Sequence, residues 1–244
     1  MLFRYPQKSL SRLPNLRLTV NNINIEKVEN FEFLGLVLNE KMSWSNHINK
    51  LSRKISSAIG VMSKSKNILD KNILLKIYNS LVLSRLHYGI LCWGFDTKNI
   101  FKIQKKAIRL ICKAKYNSHT DPLFKQLNLL KVDDIFRSKC VNFFYKYENK
   151  CLPSYFSNML NSSSLTHSHN TRNRNIQFHA IPNRQTTKHS IRYYVPQLLL
   201  EIPIDLKSKI YTHSMPSIKQ RVKKLFIDKY QVQCTKRRCY ICKT

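Results

Sequence analysis

Asp70-Lys71-Asn72-Ile73-Leu74-Leu75-Lys76-Ile77-Tyr78-Asn79-Ser80-Leu81-Val82-Leu83-Ser84-Arg85-Leu86 is the stretch that decides the fold. Asp70 stands just before the apolar run, where a short carboxylate can accept from the free N–H groups of a starting helix. Ile73, Leu74, Ile77, Leu81, Val82, Leu83 and Leu86 leave little polar surface beyond Lys76 and Arg85. A helix this apolar belongs in a core, so the spacing predicts a central helix against which neighbours bury their own stripes.

The flanking segments supply those stripes. From Ser43 the period is helical, with Ile48, Leu51, Ile55, Ala58, Ile59 and Met62 on one face and Lys50, Arg53, Lys54 and Lys64 on the other. Thr97 is placed to cap another helix, whose inward residues are Ile100, Ile103, Ala107, Leu110 and Ile111. Its outer face carries Lys102, Lys105, Lys106, Arg109 and Lys113, a basic ridge roughly three turns long. Asp121-Pro122 opens a short helix through Leu127, with proline in the first turn. Asp133-Asp134 opens one more, carrying Ile135, Phe143, Phe144 and Tyr147.

Farther out the pattern changes. Leu16, Leu18 and Val20 alternate, Asn21-Asn22 supplies a turn, and Ile23, Ile25 and Val28 follow, which reads as a hairpin. Phe31, Phe33, Leu34 and Leu36 read as a third strand closed by Asn39-Glu40. On the other side, no Asp or Glu lies between Asn149 and Leu200, and residues 157–192 read as a basic, acid-free linker or loop. A last amphipathic helix is expected over Ser217 to Tyr230, with Ile218, Val222, Leu225 and Phe226 inward and Lys219, Arg221, Lys223 and Lys224 outward. The fold class is therefore mainly α with a small N-terminal antiparallel β-hairpin or meander (α+β). Its blocks are strands over 1–40, a helical bundle over 41–156, the linker, and an irregular basic C-terminal segment over 193–244 with one helix.

Composition narrows the function. The 244 residues carry 43 Lys+Arg against 13 Asp+Glu, a net charge of +30. Residues 1–40 contribute +1, residues 41–150 +16 and residues 151–244 +13. A charge this large repels itself unless a polyanion is bound, which makes nucleic acid the expected partner; an acidic membrane surface comes second and is not expected, because the apolar helix faces are taken up by a core. A hydrophobic share of 43 % excludes wholesale disorder. Four glycines leave little material for Gly-rich phosphate loops. Seven cysteines, an odd number, and no secretory signal at Met1-Leu2-Phe3-Arg4 point to an intracellular chain in the cytoplasm or nucleus. No apolar run approaches the ~20 residues of a membrane span.

Catalytic patterns are sparse. The adjacent acids Asp133-Asp134 lie before a helical pattern rather than between strands, so they read as a cap and dipole partner and not as a metal-holding Tyr-x-Asp-Asp loop. There is no Gly-x-Ser-x-Gly elbow, and the eight His are scattered. Cys234, Cys239 and Cys242 form a Cys-x4-Cys-x2-Cys run, three ligands where zinc takes four, with His213 as a distant fourth. They read as a degenerate knuckle or as reduced thiols, so no metal is expected. Cys92, Cys112, Cys140 and Cys151 lie beside apolar faces and read as core filler.

Taken in order, the segments resemble the downstream part of a LINE-type (non-LTR) retrotransposon reverse transcriptase of the jockey-like group. Phe31-Glu32-Phe33-Leu34-Gly35 resembles the aromatic-Leu-Gly primer grip, and Trp44, His47, Ile48 and Lys54-Ile55-Ser56 the first thumb helix. Tyr78-Asn79-Ser80-Leu81-Val82-Leu83-Ser84-Arg85-Leu86-His87-Tyr88-Gly89, followed by Trp93-Gly94, is the most specific piece. Ile103-Gln104-Lys105-Lys106-Ala107-Ile108-Arg109, His119-Thr120-Asp121-Pro122-Leu123-Phe124, Leu152-Pro153-Ser154-Tyr155-Phe156 and Thr171-Arg172 continue it, over about residues 1–230. The family's Gly-Pro-x-x-Trp-Asn-x-Leu-Pro is here Val195-Pro196-Gln197-Leu198-Leu199-Leu200-Glu201-Ile202-Pro203, with Leu199 at the Trp position.

The resemblance implies residual palm strands over 1–40 and a thumb over 41–156. Phe33, Leu34 and Gly35 are then primer-grip-like, and Lys50, Arg53, Lys54, Lys102, Lys105, Lys106, Arg109 and Lys113 contact the template–primer backbone. It implies a truncated RNA-directed DNA polymerase without its catalytic carboxylates, so the chain is not expected to be an enzyme. It implies no cofactor in this chain, since Mg²⁺ would belong to the missing palm, and no small-molecule substrate. The alternative is a stand-alone basic nucleic-acid-binding module without enzymatic ancestry.

Overall fold

The computed structural model describes residues 18–160 and 190–231. Two hairpins come first, each its own two-stranded antiparallel sheet. In the first, β1 (Thr19–Val20) pairs with β2 (Ile23–Asn24), with Val20 opposite Ile23. Asn21 and Asn22 turn at φ 48° and 64°, the doubly left-handed geometry of a type I′ turn, which asparagine tolerates well. In the second, β3 (Asn30–Phe33) pairs with β4 (Leu36–Asn39), with Phe33 opposite Leu36. The strand expected to run from Phe31 through Leu36 is thus folded back on itself. Leu34 at φ 48° and Gly35 at φ 76° make the turn. Glycine adopts that geometry freely, whereas Leu34 does so against a clash of about 1–2 kcal/mol.

The helices follow. α1 (Ser45–Ser65) buries Ile48, Leu51, Ile55, Ala58 and Met62 as expected, and His47 with them; Ile59 lies at the edge of the stripe. α2 (Lys71–Tyr78) is capped by Asp70, whose Oδ1 accepts from the Ile73 N–H at 2.8 Å. It continues through a π turn (Asn79–Leu83) into α3 (Ser84–His87). The widened turn keeps Leu74, Tyr78, Val82 and Leu86, spaced by four, in one fully buried line. Ile73 and Leu81, at 42 % and 36 % exposed, fall outside that line, so the segment is buried along one side and not all round.

Gly89, at φ 58°, precedes α4 (Ile90–Trp93), and a Cβ there would sit 2.7 Å from Leu36 Cδ2. α5 (Lys98–Ile111) packs on α1 and α2. Its buried residues are Ile100, Gln104, Ala107, Ile108 and Ile111; Ile103 and Leu110, expected inward, are only half-buried. The helix is rolled toward Gln104 because that amide has buried partners. Gln104 Nε2 donates to Tyr78 Oη at 2.9 Å and to the Leu130 carbonyl at 3.0 Å, and its Oε1 accepts from the Val132 N–H at 2.9 Å. A satisfied buried amide of this kind fixes one arrangement of the elements it joins. Burial pushes the Tyr78 phenol up to about 12.

α6 (Asp121–Gln126) has Pro122 in its first turn, as expected. α7 (Val132–Glu148) is the spine of the second half. Neither Thr97 nor the Asp133-Asp134 pair caps its helix by a side-chain bond. The Thr97 hydroxyl donates to the Asp133 carboxylate, and Asp134 accepts from Tyr230 Oη at 2.6 Å. The acids occupy the first turn of α7, where they suit the helix dipole, yet their side chains join elements and close no helix end. α5, α6 and α7 end on Lys113, Asn128 and Lys150 in left-handed conformation. The next N–H then reaches back, as Ala114 to the Arg109 carbonyl at 2.9 Å, so Lys and Asn take the place glycine usually fills.

The C-terminal segment differs most from expectation. Residues 190–231 form three helices where one was expected: α8 (Ile191–Glu201), α9 (Ile204–Thr212) and α10 (Met215–Asp228). Val195, Leu198, Ile210, Ile218, Val222 and Phe226 belong to the same hydrophobic core as α1–α7. Of the cysteines read as core filler only Cys140 is buried, while Cys92 and Cys151 are exposed. Most of the acid-free linker (161–189), Thr171-Arg172, and Cys234, Cys239 and Cys242 lie outside the described residues. Among the described residues no helix is long and apolar enough to cross a membrane.

Candidate nucleic-acid interface

Two hollows flank α1. At 3.6 residues per turn Lys50 and Lys54 lie on one flank of that helix, and Gly60 and Ser63 on the opposite one, with the buried stripe between. Residues 41–69 and 97–120, which contain α1 and α5, hold no Asp or Glu.

The first hollow, about 230 Å³, is lined by Gly35, His47, Lys50, Lys54, Arg85 and Tyr88 among others. The Phe33-Leu34-Gly35 turn is brought to its edge by contacts along the second hairpin. Tyr88 Oη donates to the Leu34 carbonyl, the Val37 N–H donates to His47 Nδ1 at 3.4 Å, and Lys50 Nζ lies 2.5 Å from a Glu32 carboxylate oxygen. That hydrogen bond and charge hold the Glu32 carboxyl below its ordinary value. Burial first, then the charges of Lys50 and Lys54, hold the His47 imidazole below its ordinary value. Arg85 Nη1 donates to the Lys54 carbonyl at 2.8 Å, fixing the guanidinium beside the hollow. Leu34 at 73 % and Phe33 at 56 % exposed stand at the tip. Arg53 is exposed and borders neither hollow.

The second hollow, about 670 Å³, lies between α1 and α5. Lys66, Lys106, Arg109 and Lys113 stand on its rim, and Ile59, Ile103 and Leu110 form its floor. The half-burial of Ile103 and Leu110 is explained here: they face the hollow. The basic ridge of α5 is therefore divided. Lys106, Arg109 and Lys113 line the hollow; Lys102 and Lys105 do not, and the Lys105 ammonium lies 4.8 Å from the centre of the Phe101 ring. Arg109 also has a structural duty, since its Nε donates to the Ser118 carbonyl at 2.9 Å and holds the loop after α5. Arg85, Lys66 and Tyr116 were not singled out as binding residues by the sequence reading. The Lys113–Tyr116 run, an aromatic beside two lysines, is the one local signal that could have flagged the last of them.

Lys50 of the first hollow is paired with Glu32, whereas the second hollow sets cations on an apolar floor with no Asp or Glu among its lining residues, an arrangement that suits a polyanion. Among the described residues no group of three or more His, Cys, Asp or Glu gathers, and Asp133 and Asp134 are engaged by Thr97 and Tyr230.

Comparison with known proteins finds similarity to the RNA-directed DNA polymerase from mobile element jockey of Drosophila melanogaster, 26 % identical over 123 residues. That match covers 48 % of this chain and 13 % of the relative's length. No family model and no solved structure matches. On sequence, then, about half of this chain is similar to a short stretch of that polymerase.

Proposed function

We propose that this chain is the primer-grip and thumb portion of a non-LTR retrotransposon reverse transcriptase, and that it binds a template–primer through phosphate contacts from the two flanks of α1 and the outer face of α5. One observation carries the reading: Lys66, Lys106, Arg109 and Lys113 line one hollow between two helices that hold no acid. Ordinary surfaces intersperse both signs, whereas a phosphate-tracking surface does not. Lys54 and Arg85 extend the basic surface to the Leu34-Gly35 turn, which is where a primer end would lie if the turn is primer-grip-like. Polymerisation itself is assigned to a part of the enzyme outside this chain, as are its Mg²⁺ ions.

Fluorescence anisotropy of a labelled RNA–DNA duplex, titrated across salt, tests this. Neutralising Lys66, Lys106 and Lys113 together to Gln should weaken binding and flatten the log–log salt slope by up to ~3, about one per lost phosphate contact. Arg109 is left in place because it holds the loop through Ser118. An unchanged slope removes this surface from the interface. Primer extension with Mg²⁺ and deoxynucleotides should stay at the level of a heat-killed control.

A further inference from the structure

We infer that the hollow between α1 and α5 seats one unpaired nucleotide, its base on the apolar floor and its phosphate on the lysine rim; this rests on the nucleic-acid reading above and names the form of strand that the site takes. A backbone-tracking surface needs cations and nothing else. This site has an apolar floor as well, made by Ile59, Ile103 and Leu110, which pack against the core yet remain partly open. A duplex presents phosphates outward and keeps its bases stacked inside, so it cannot use that floor. A base turned out of the stack can. The volume, about 670 Å³, lies within the range of sites that take small ligands.

Two further observations point the same way. Tyr116 stands on the wall of the hollow at 82 % exposed, on the loop that Arg109 holds through Ser118 and that begins with the left-handed Lys113. An exposed aromatic ring beside a row of cations is what single-strand binders use as a stacking platform, since every base has a π face. Gly60 also lines the hollow, inside the last third of α1, and a Cβ built on it meets nothing within 4 Å. Glycine is a poor helix residue, and neither a left-handed conformation nor a close protein neighbour calls for it here. The room it leaves opens into the hollow.

The test compares a blunt RNA–DNA duplex with the same duplex bearing a single-stranded overhang, using anisotropy on the full chain. The wild type should bind the overhang form more tightly. Tyr116→Ala, a change at an exposed loop residue, and Gly60→Leu, which fills the hollow while suiting the helix better, should each lower overhang affinity roughly tenfold, within the usual worth of one base–aromatic stack. Blunt-duplex affinity, carried by the lysine rim that both variants keep, should fall less than overhang affinity. Replacing the overhang with an abasic strand of equal charge should mimic both variants on the wild type. The proposal is overturned if the abasic strand binds as well as the normal one, if both variants keep wild-type overhang affinity, or if both lose duplex and overhang binding equally. Displacement of the overhang from the wild type but not from Gly60→Leu by anionic phospholipid vesicles would overturn it in favour of a lipid headgroup. Loss of all nucleic-acid binding by the wild type would sink the broader reading along with it.

Discussion

The two N-terminal hairpins share one design and meet different fates. Each is a pair of short antiparallel strands joined by a two-residue turn with both φ values positive. The β1–β2 hairpin exposes every strand residue and is held by its own pairing. The β3–β4 hairpin buries Asn39, half-buries the rest of β4 and is fastened to helices through Tyr88, His47 and Lys50. An isolated hairpin is marginal in water, so the order of the second comes from the helices and not from its strands.

Hydrogen exchange should show the contrast at its widest. Amides from Leu74 to Leu86 should exchange only with global opening, those of β1–β2 nearly as fast as free peptide, and those of β3–β4 in between. Equal protection of both hairpins would mean that the first has found a partner surface. Gly89→Ala attacks the fastened hairpin directly. Alanine is strained at the left-handed φ of position 89 and its Cβ falls 2.7 Å from Leu36 Cδ2, so a loss of about 2–3 kcal/mol is expected in urea unfolding. Leu36→Ala in the same chain should recover part of it, since the clash then has no second atom.

Tyr88→Phe removes only the hydroxyl that holds the Leu34 carbonyl. It should cost about 1 kcal/mol and speed exchange in β3–β4, leaving β1–β2 unchanged. Acid should act more gently at the same joint. The depressed His47 imidazole binds its proton more readily in the unfolded chain, so its contribution is complete above the ordinary value of 6.5 and declines as pH falls below it. Protonation also places a proton on Nδ1, which now accepts from Val37. His47→Gln should flatten that part of the stability–pH curve; a curve of unchanged shape would assign the titration to another group.

Helical periodicity made much of this legible in advance. The buried stripes of α1 and α10, the Asp70 cap and the proline of α6 follow from local spacing, because each depends on residues three or four apart. The second hairpin was illegible for a local reason. Its turn is Leu34-Gly35 inside an apolar run, and leucine is not a residue that announces a left-handed turn. α8 and α9 were hidden by Pro196 inside the one and Pro203 before the other, and they are helical because α7 offers them an apolar side to cover. The site was half legible. The charge on α5 can be counted from sequence, but which lysines border a hollow depends on how α1 crosses α5. Nothing near Gly60 or Lys66 in sequence indicates that crossing.

The placement of His47 also governs how this protein reports on itself in the spectrometer. The chain has two tryptophans, and both rings lie against that one imidazole: Trp44 at 6.1 Å and Trp93 at 6.0 Å between centroids. Trp93 is fully buried, and its indole donates to the Tyr88 carbonyl at 2.9 Å. Intrinsic emission is therefore a local gauge of the joint between the second hairpin, α1 and α4. Protonated imidazole quenches indole, so acid should dim the signal before any unfolding. Detachment of the helices after residue 190, which carry tyrosines but no tryptophan among residues 190–231, should pass almost unseen in tryptophan emission while circular dichroism records it.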